Sequence, residues 1–282
     1  MTDSLKTLIL FFPHAVAAGV AISVVCTLLG VFTILKNVVF VGVALSEVAA
    51  CGIALGMTWH IQPFVGAVAL TAAAVAALSY PFEMHRIPRD AVLGVIFVFA
   101  SALGILVVSK SGFGLHEVKG LLYGDLILTS QGDLNVILAV LVPVLIYFLC
   151  FMRPTLYTFL DRESAKIMGI RTALWEFLYF FALGLTVSAA SKAAGAILIF
   201  CFLVVAPAAG LLLSRRLGWV MLISLCGGLG STFVGFYWSF RCDLPVNQAI
   251  SVTACIWFGV AATVRFIQWM ASRLSACMKQ RR

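Results

Sequence analysis

The sequence predicts an all-α fold, a polytopic transmembrane helical bundle of about eight to nine spans with one short cytoplasmic helix. Three observations predict it. The chain is 63% hydrophobic and only 11% charged, whereas soluble domains sit near half apolar and a quarter charged. Its mean hydropathy is +1.11. Its apolar residues fall in runs close to the ~20 residues that a helix needs to cross a bilayer. The 282 residues read as one transmembrane domain over 1–282, with no soluble domain, low-complexity linker or internal repeat.

Nine spans are expected, at 8–34, 38–58, 64–83, 91–109, 134–152, 173–190, 193–213, 219–240 and 246–270. The first follows Met1–Lys6 and lacks the short length and small-residue cleavage site of a signal peptide, so it reads as a retained span. The second carries Glu47. The third and fourth flank a loop with His85, Arg86 and Arg89, and the fifth is expected to end at Arg153-Pro154. Only a very short connection around Lys192 separates the sixth from the seventh. If those two are one broken helix, the count and the upstream orientation both change. Pro207 should kink or break the seventh, and with Pro143 it hints at a conduit. The eighth follows Arg215-Arg216 and carries Gly227-Gly228-x-Gly230. The last begins at Asp243-Leu244-Pro245, with Asp243 as its cap or, alternatively, as part of a gate.

Net charge is +8, yet it does not point to nucleic acid. Of the 19 Lys and Arg, all but Lys6, Lys110, Lys119, Lys192 and Arg241 fall on one side of these spans. The positive-inside rule makes that side cytoplasmic, with the C-terminus inside and, for nine spans, the N-terminus outside. The eight cysteines contain no C-x-x-C pair, and six lie within spans. They read as small hydrophobes rather than a disulfide framework.

Two stretches lie outside the spans. Lys110–Asp133 is expected outside, with His116, Glu117, Lys119, Asp125 and Asp133 among helix-breaking glycines. It is either a connecting loop or a docking surface. Arg153–Arg171 is expected in the cytoplasm, where about 158–170 forms a short amphipathic helix capped by Asp161 and closed by Gly169. Leu160, Ser164, Ile167 and Met168 share helical spacing. That helix either rests on the membrane surface or docks into a cytoplasmic subunit.

Glu47 is the acid that sits deep in an apolar, membrane-length run. A mid-bilayer carboxylate costs on the order of 3 kcal/mol on insertion scales and usually faces a bundle interior or a water-filled path. It lies about eleven residues past Lys36, which at ~1.5 Å per residue is near mid-bilayer. It either lines an ion path or locks helix packing by a hydrogen bond. Ser46 precedes it, and Cys51, one turn beyond on the same face, could add a soft ligand or simply pack. His14, His60, His85 and His116 are scattered near span ends. Lys192 reads as a snorkelling side chain.

Four stretches in register resemble the permease subunits of the metal-ion ABC importer family (ABC-3), the zinc, manganese and iron uptake type. Phe40–Gly56 resembles its Gly-Asp-x-Leu-Ser-His…Gly-x-x-x-Gly segment, and Thr158–Ile170 its Asp-x-x-x-Ala-x-x-x-Gly-Ile helix. Gly195–Leu217, through Gly195-Ala196-Ile197-Leu198, Pro207-Ala208 and Arg215-Arg216, resembles its Gly-x-x-Leu…Pro-Ala…Arg-Arg segment. Gly230–Val246 resembles its Asp-Leu-Pro segment.

The resemblance implies a permease paired with a second copy, or with a close relative, in the lipid bilayer. It also implies two cytoplasmic ATP-binding subunits and an external metal-binding protein. The ligand is then a transported divalent metal ion rather than a resident cofactor. Asp161, Glu163, Ala165 and Gly169 would belong to the coupling helix. No G-x-x-x-x-G-K-[ST] loop is present, so ATP hydrolysis is expected on a separate chain. The family's metal grip, an Asp and a His four residues apart, reads Val43 and Glu47 here. Val43 cannot bind a cation, and a carboxylate in place of imidazole favours harder cations such as Mn²⁺ or Fe²⁺.

A stand-alone secondary transporter or channel, with Glu47 as ion or proton relay, is the alternative. The clear internal repeat common in that class is missing. An intramembrane enzyme is disfavoured, since neither H-E-x-x-H nor G-x-S-x-G occurs.

Overall fold

The computed structural model describes residues 12–79, 89–110 and 124–280. All regular structure among them is helical. In chain order, α1 spans Pro13–Leu35, α2 Val39–Thr58, α3 Pro63–Ser79, α4 Arg89–Lys110, α5 Gln131–Leu160 and α6 Arg162–Ile167. Then come α7 Thr172–Phe200, a π-helical turn Cys201–Val205, α8 Ala206–Leu213, α9 Leu217–Cys242 and α10 Val246–Gln280. Among the described residues, seven helical stretches are long and apolar enough to cross a bilayer, and Pro63–Ala77 is a shorter apolar one. This is a multi-pass membrane protein.

Local chemistry explains the joints. Pro13 opens α1, where its missing N–H is harmless. Asn37 adopts φ 58° and turns the chain into α2, a left-handed position that asparagine tolerates. α5 starts with a capping box, in which Ser130 Oγ accepts from Asp133 N and the Asp133 carboxylate accepts from Ser130 N.

Contrary to expectation, Arg153-Pro154 does not end the fifth span. The helix bends at Phe151 (φ −110°, ψ 19°) and continues to Leu160. Pro154 removes one N–H and crowds the preceding turn, which a kink absorbs. Thr155 Oγ1 donates to the Phe151 carbonyl at 2.9 Å across the bend.

The longest apolar run, Thr172–Leu213, covers 42 residues and contains one break, at Gly195 (φ 67°, ψ 169°). It cannot be one straight rod. Tyr179 Oη donates to the Leu29 carbonyl at 2.8 Å, while a Cβ on the adjacent Gly30 would lie 2.3 Å from the Leu203 carbonyl oxygen. On a straight helix Tyr179 and Leu203 would stand roughly 36 Å apart. The chain therefore doubles back at Gly195, in backbone space open mainly to glycine. Asn247 Nδ2 fastens the turn, donating to Ala193 O and Ala194 O at 3.1 Å each.

At Pro207 the helix is not broken but changes to a π turn, Cys201–Val205, just ahead of the proline. Pro207 begins α8 in continuous helix, behind the wide π turn that takes up its missing N–H.

α2 packs on α3, α4 and α7, and α1 on α5, α7 and α9. The approach of α2 to α3 is backbone to backbone. A Cβ on Gly52 would lie 2.5 Å from the Gly66 oxygen, and one on Gly66 would lie 2.3 Å from the Gly52 oxygen. In α2 78% of the central window is buried, against 17% in α4. The Glu47 helix is therefore interior, with α4 as its outer cover.

Candidate ion site and coupling helix

Glu47 lies on α2, about 12 Å along the axis from Val39. It is 8% exposed, and its Oε2 meets no hydrogen-bond partner. Ser101 of α4 faces it as the hydrogen-bond partner of the carboxyl. Cys51, one turn on, is buried beside it. Gly104 of α4 leaves room over Cys51, so that an added Cβ there would sit 3.4 Å from the Cys51 Cα. Val48, Cys51 and Ala100 form a small apolar cluster around this face. A buried, unpartnered carboxylate oxygen is costly, about 1–3 kcal/mol or more, which suits a group that meets a ligand during the working cycle.

Ser46 does not join it. Its Oγ donates to the helix's own Val43 carbonyl at 2.7 Å, and its backbone oxygen lies 3.5 Å from Ser191 Oγ on α7. Neighbours in sequence, Ser46 and Glu47 serve faces of α2 about 100° apart. Glu47, Cys51 and Ser101 offer a carboxylate, a thiol and a hydroxyl. Among the described residues no three His, Cys, Asp or Glu come together.

The short helix α6 lies at the basic end, between Leu160 and Thr172. Asp161 Oδ1 accepts from Glu163 N and Ser164 N, at 3.1 Å each, and Ser164 Oγ donates to Asp161 Oδ2 at 2.5 Å. The Ser164 hydroxyl and these amides hold the Asp161 carboxyl below the usual carboxylate range. Gly169 closes the segment at φ 78°. The helix proper is shorter than 158–170, because 158–160 belongs to α5. Ala165 is fully buried, whereas Leu160, Ile167 and Met168 are exposed. The expected apolar stripe therefore points away from the bundle, and Glu163 is exposed beside it.

Asp243 sits at the C-terminal end of α9, as its C-cap. It takes a left-handed conformation (φ 51°, ψ 41°) at the end of α9 and is exposed. Lys192, expected to snorkel, donates to Asp133 Oδ1 at 2.7 Å. His14 is half-buried and His60 exposed in a turn, while His85 and His116 lie outside the described residues.

Sequence reasoning missed a second polar lock. Lys36 Nζ donates to Glu176 Oε1 and sits 4.6 Å and 5.0 Å from the ring centres of Phe159 and Phe180. Beside it, Thr33 Oγ1 and Tyr179 Oη are 2.7 Å apart. Glu176, an acid inside the sixth expected span, was the available signal. Ser101 carried none, since one serine in an apolar run is ordinary.

The architecture defines a multi-pass helical membrane protein with a short helix at its basic end. The ABC 3 transport family model matches residues 9–265, and the chain belongs to that family. Over 252 residues it is 27% identical to the manganese transport system membrane protein MntC of Halalkalibacterium halodurans, covering 89% of this chain and 86% of that one. It is 28% identical to the manganese import system permease protein ScaB of Streptococcus parasanguinis, covering 88% of each. The solved structure of PsaBC from Streptococcus pneumoniae in complex with Fab shares the fold, with TM-score 0.82 and 22% identity over 93% of this chain and 95% of that one.

Proposed function

We propose that this chain is the membrane permease of an ATP-driven importer for a divalent metal ion, with Glu47 as the residue that meets the ion in mid-membrane. The observation that carries it is the Glu47 Oε2, buried and unpartnered in a family whose similar members are manganese permeases. The hard carboxylate favours Mn²⁺ or Fe²⁺ over Zn²⁺. Cys51 is close enough to add a soft ligand, and Ser101 orients the carboxyl.

Around the permease stand a second copy, two cytoplasmic ATP-binding subunits and an external binding protein that delivers the ion. ATP is hydrolysed on those separate subunits. Asp161–Gly169 is the coupling helix, whose exposed Ile167 and Met168 suit a pocket on an ATP-binding subunit. The basic end that carries Lys36, Arg153, Arg171 and Arg215-Arg216 faces the cytoplasm.

The test is the metal content of cells expressing the chain with its ATPase and binding protein, by elemental mass spectrometry. Wild type should accumulate one metal, and Glu47→Ala should assemble yet lose that accumulation. Normal uptake by Glu47→Ala would remove Glu47 from the mechanism. Uptake by the purified chain alone in liposomes would favour the stand-alone transporter.

A further inference from the structure

A second polar constellation lies at the opposite end of the bundle from Lys36. There a cavity of about 700 Å³ opens between the C-terminal part of α2, the start of α3, residues 188–193 of α7 and the start of α5. Ile53, Phe64, Ile137 and Ala189 give it apolar walls. Its polar lining comes from Asp125, Thr129, Ser130 and Asp133, together with Ser188, Gln62 and Lys192. Thr129 lines the cavity at 8% exposure, and its buried Oγ1 has no hydrogen-bond partner.

Lys192 Nζ holds Asp133 Oδ1 at 2.7 Å, while Asp133 Oδ2 accepts from Ser130. Asp125 Oδ1 accepts from Ile127 N at 2.9 Å. The Lys192–Asp133 pair is loose by position, with side chains 56% and 28% exposed. Ion pairs this open contribute little and weaken with salt. A doubly charged ion therefore competes well against one tethered ammonium for the same carboxylate. The donors on offer are all oxygen, which suits a hard cation. The volume is ample for the waters that such an ion keeps.

We propose that this cavity is an outer capture site for a hydrated divalent cation, distinct from Glu47. Asp133 and Asp125 supply carboxylate oxygens, Thr129 supplies its unpartnered hydroxyl, and the Lys192 ammonium is the built-in cation that the incoming ion displaces. The proposal rests on the reading of the chain as a divalent-metal permease. Ile53 in the cavity wall is six residues past Glu47 on α2, ~9 Å further along the helix axis.

The test is Mn²⁺ binding to the purified full chain in lipid nanodiscs, followed by loss of the free-ion electron paramagnetic resonance signal. In a Glu47→Gln background one Mn²⁺ per chain should still bind. Lys192→Met should tighten that binding about tenfold, and Asp125→Asn with Asp133→Asn should abolish it. Asp133 also caps α5, so the gain in Lys192→Met is the result that misfolding cannot imitate. No Mn²⁺ bound in the Glu47→Gln chain, or binding indifferent to Lys192→Met, would overturn the outer site. If wild type binds one Mn²⁺ that Glu47→Gln removes, the Glu47 reading stands and the outer site falls. If the Lys192-dependent site persists while cellular uptake ignores Glu47→Ala, the outer site stands and the Glu47 reading falls.

Discussion

At the scale of single residues, the proposed selectivity turns on Val43 and Glu47. The resemblance to the family's metal grip puts Glu47, in the buried middle of α2, where an imidazole would stand, and Val43, one turn earlier, where a carboxylate would stand. Restoring the family pair with Val43→Asp and Glu47→His should move preference toward Zn²⁺, because imidazole with carboxylate suits that ion better than carboxylate alone. Competition between Zn²⁺ and Mn²⁺ for uptake measures it, and an unchanged order would mean that selectivity is set elsewhere. Glu47 was legible in sequence because a charge inside an apolar run is expensive wherever the run folds. Ser46 was misassigned because adjacency in sequence does not give direction on a helix. Its hydroxyl turned out to close on Val43 O. Ser101 and Thr129 became visible only once α4 and the 124–130 segment were placed in space.

At the scale of elements, two charged devices sit at the basic end, and their exposure separates their roles. The Lys36–Glu176 pair is 14% and 16% exposed, is flanked by two aromatic rings, and ties the α1–α2 elbow to the start of α7. Removing one partner of a largely buried pair is expensive. Lys36→Met should cost roughly 3 kcal/mol, and the reversed pair Lys36→Glu with Glu176→Lys should recover part of it. Thermal unfolding of the purified protein measures both, and no loss in Lys36→Met would show that the pair is idle.

Asp161, by contrast, is fully exposed and organises only α6. Its carboxyl is held below the ordinary value near ~3.9, so its stabilisation is complete at neutral pH and disappears as pH falls below about 4. Asp161→Ala should therefore lower metal taken up per ATP hydrolysed at neutral pH. Asp161→Asn, which caps nearly as well, should retain most of the coupling. Equal coupling in the two variants would detach the cap from the function. The helical periodicity and capping residues made α6 readable in sequence. Its orientation was not, because Leu160, Ile167 and Met168 look alike whether they face a bundle or a partner.

For the whole molecule, the span pattern was nearly complete in the sequence because long apolar runs declare themselves. Breaks were harder to place. Proline is the usual suspect, but Pro143 sits in continuous helix, Pro154 only bends its helix, Pro207 follows a π turn, and among the described residues the reversal inside an apolar run falls at Gly195, three residues past the connection expected around Lys192. What decides is whether a break has partners. Asn247 supplies two hydrogen bonds to the Gly195 turn from another helix, and no local pattern could announce that.

The same dependence on distant partners would govern the proposed ion site. Among the described residues one chain gathers Glu47, Cys51 and Ser101 but no cluster of three His, Cys, Asp or Glu, so a cation in mid-membrane needs either retained water or donors from a second copy. Co-expression of wild type with Glu47→Ala at equal levels distinguishes the two. If each Glu47 serves its own path, uptake should fall to about half. If the two copies share one path and both carboxylates are needed, only pairs of wild-type chains work, and uptake should fall to about a quarter. The ratio of uptake to assembled complex is the measurement. A value near one half would place a complete path within each chain.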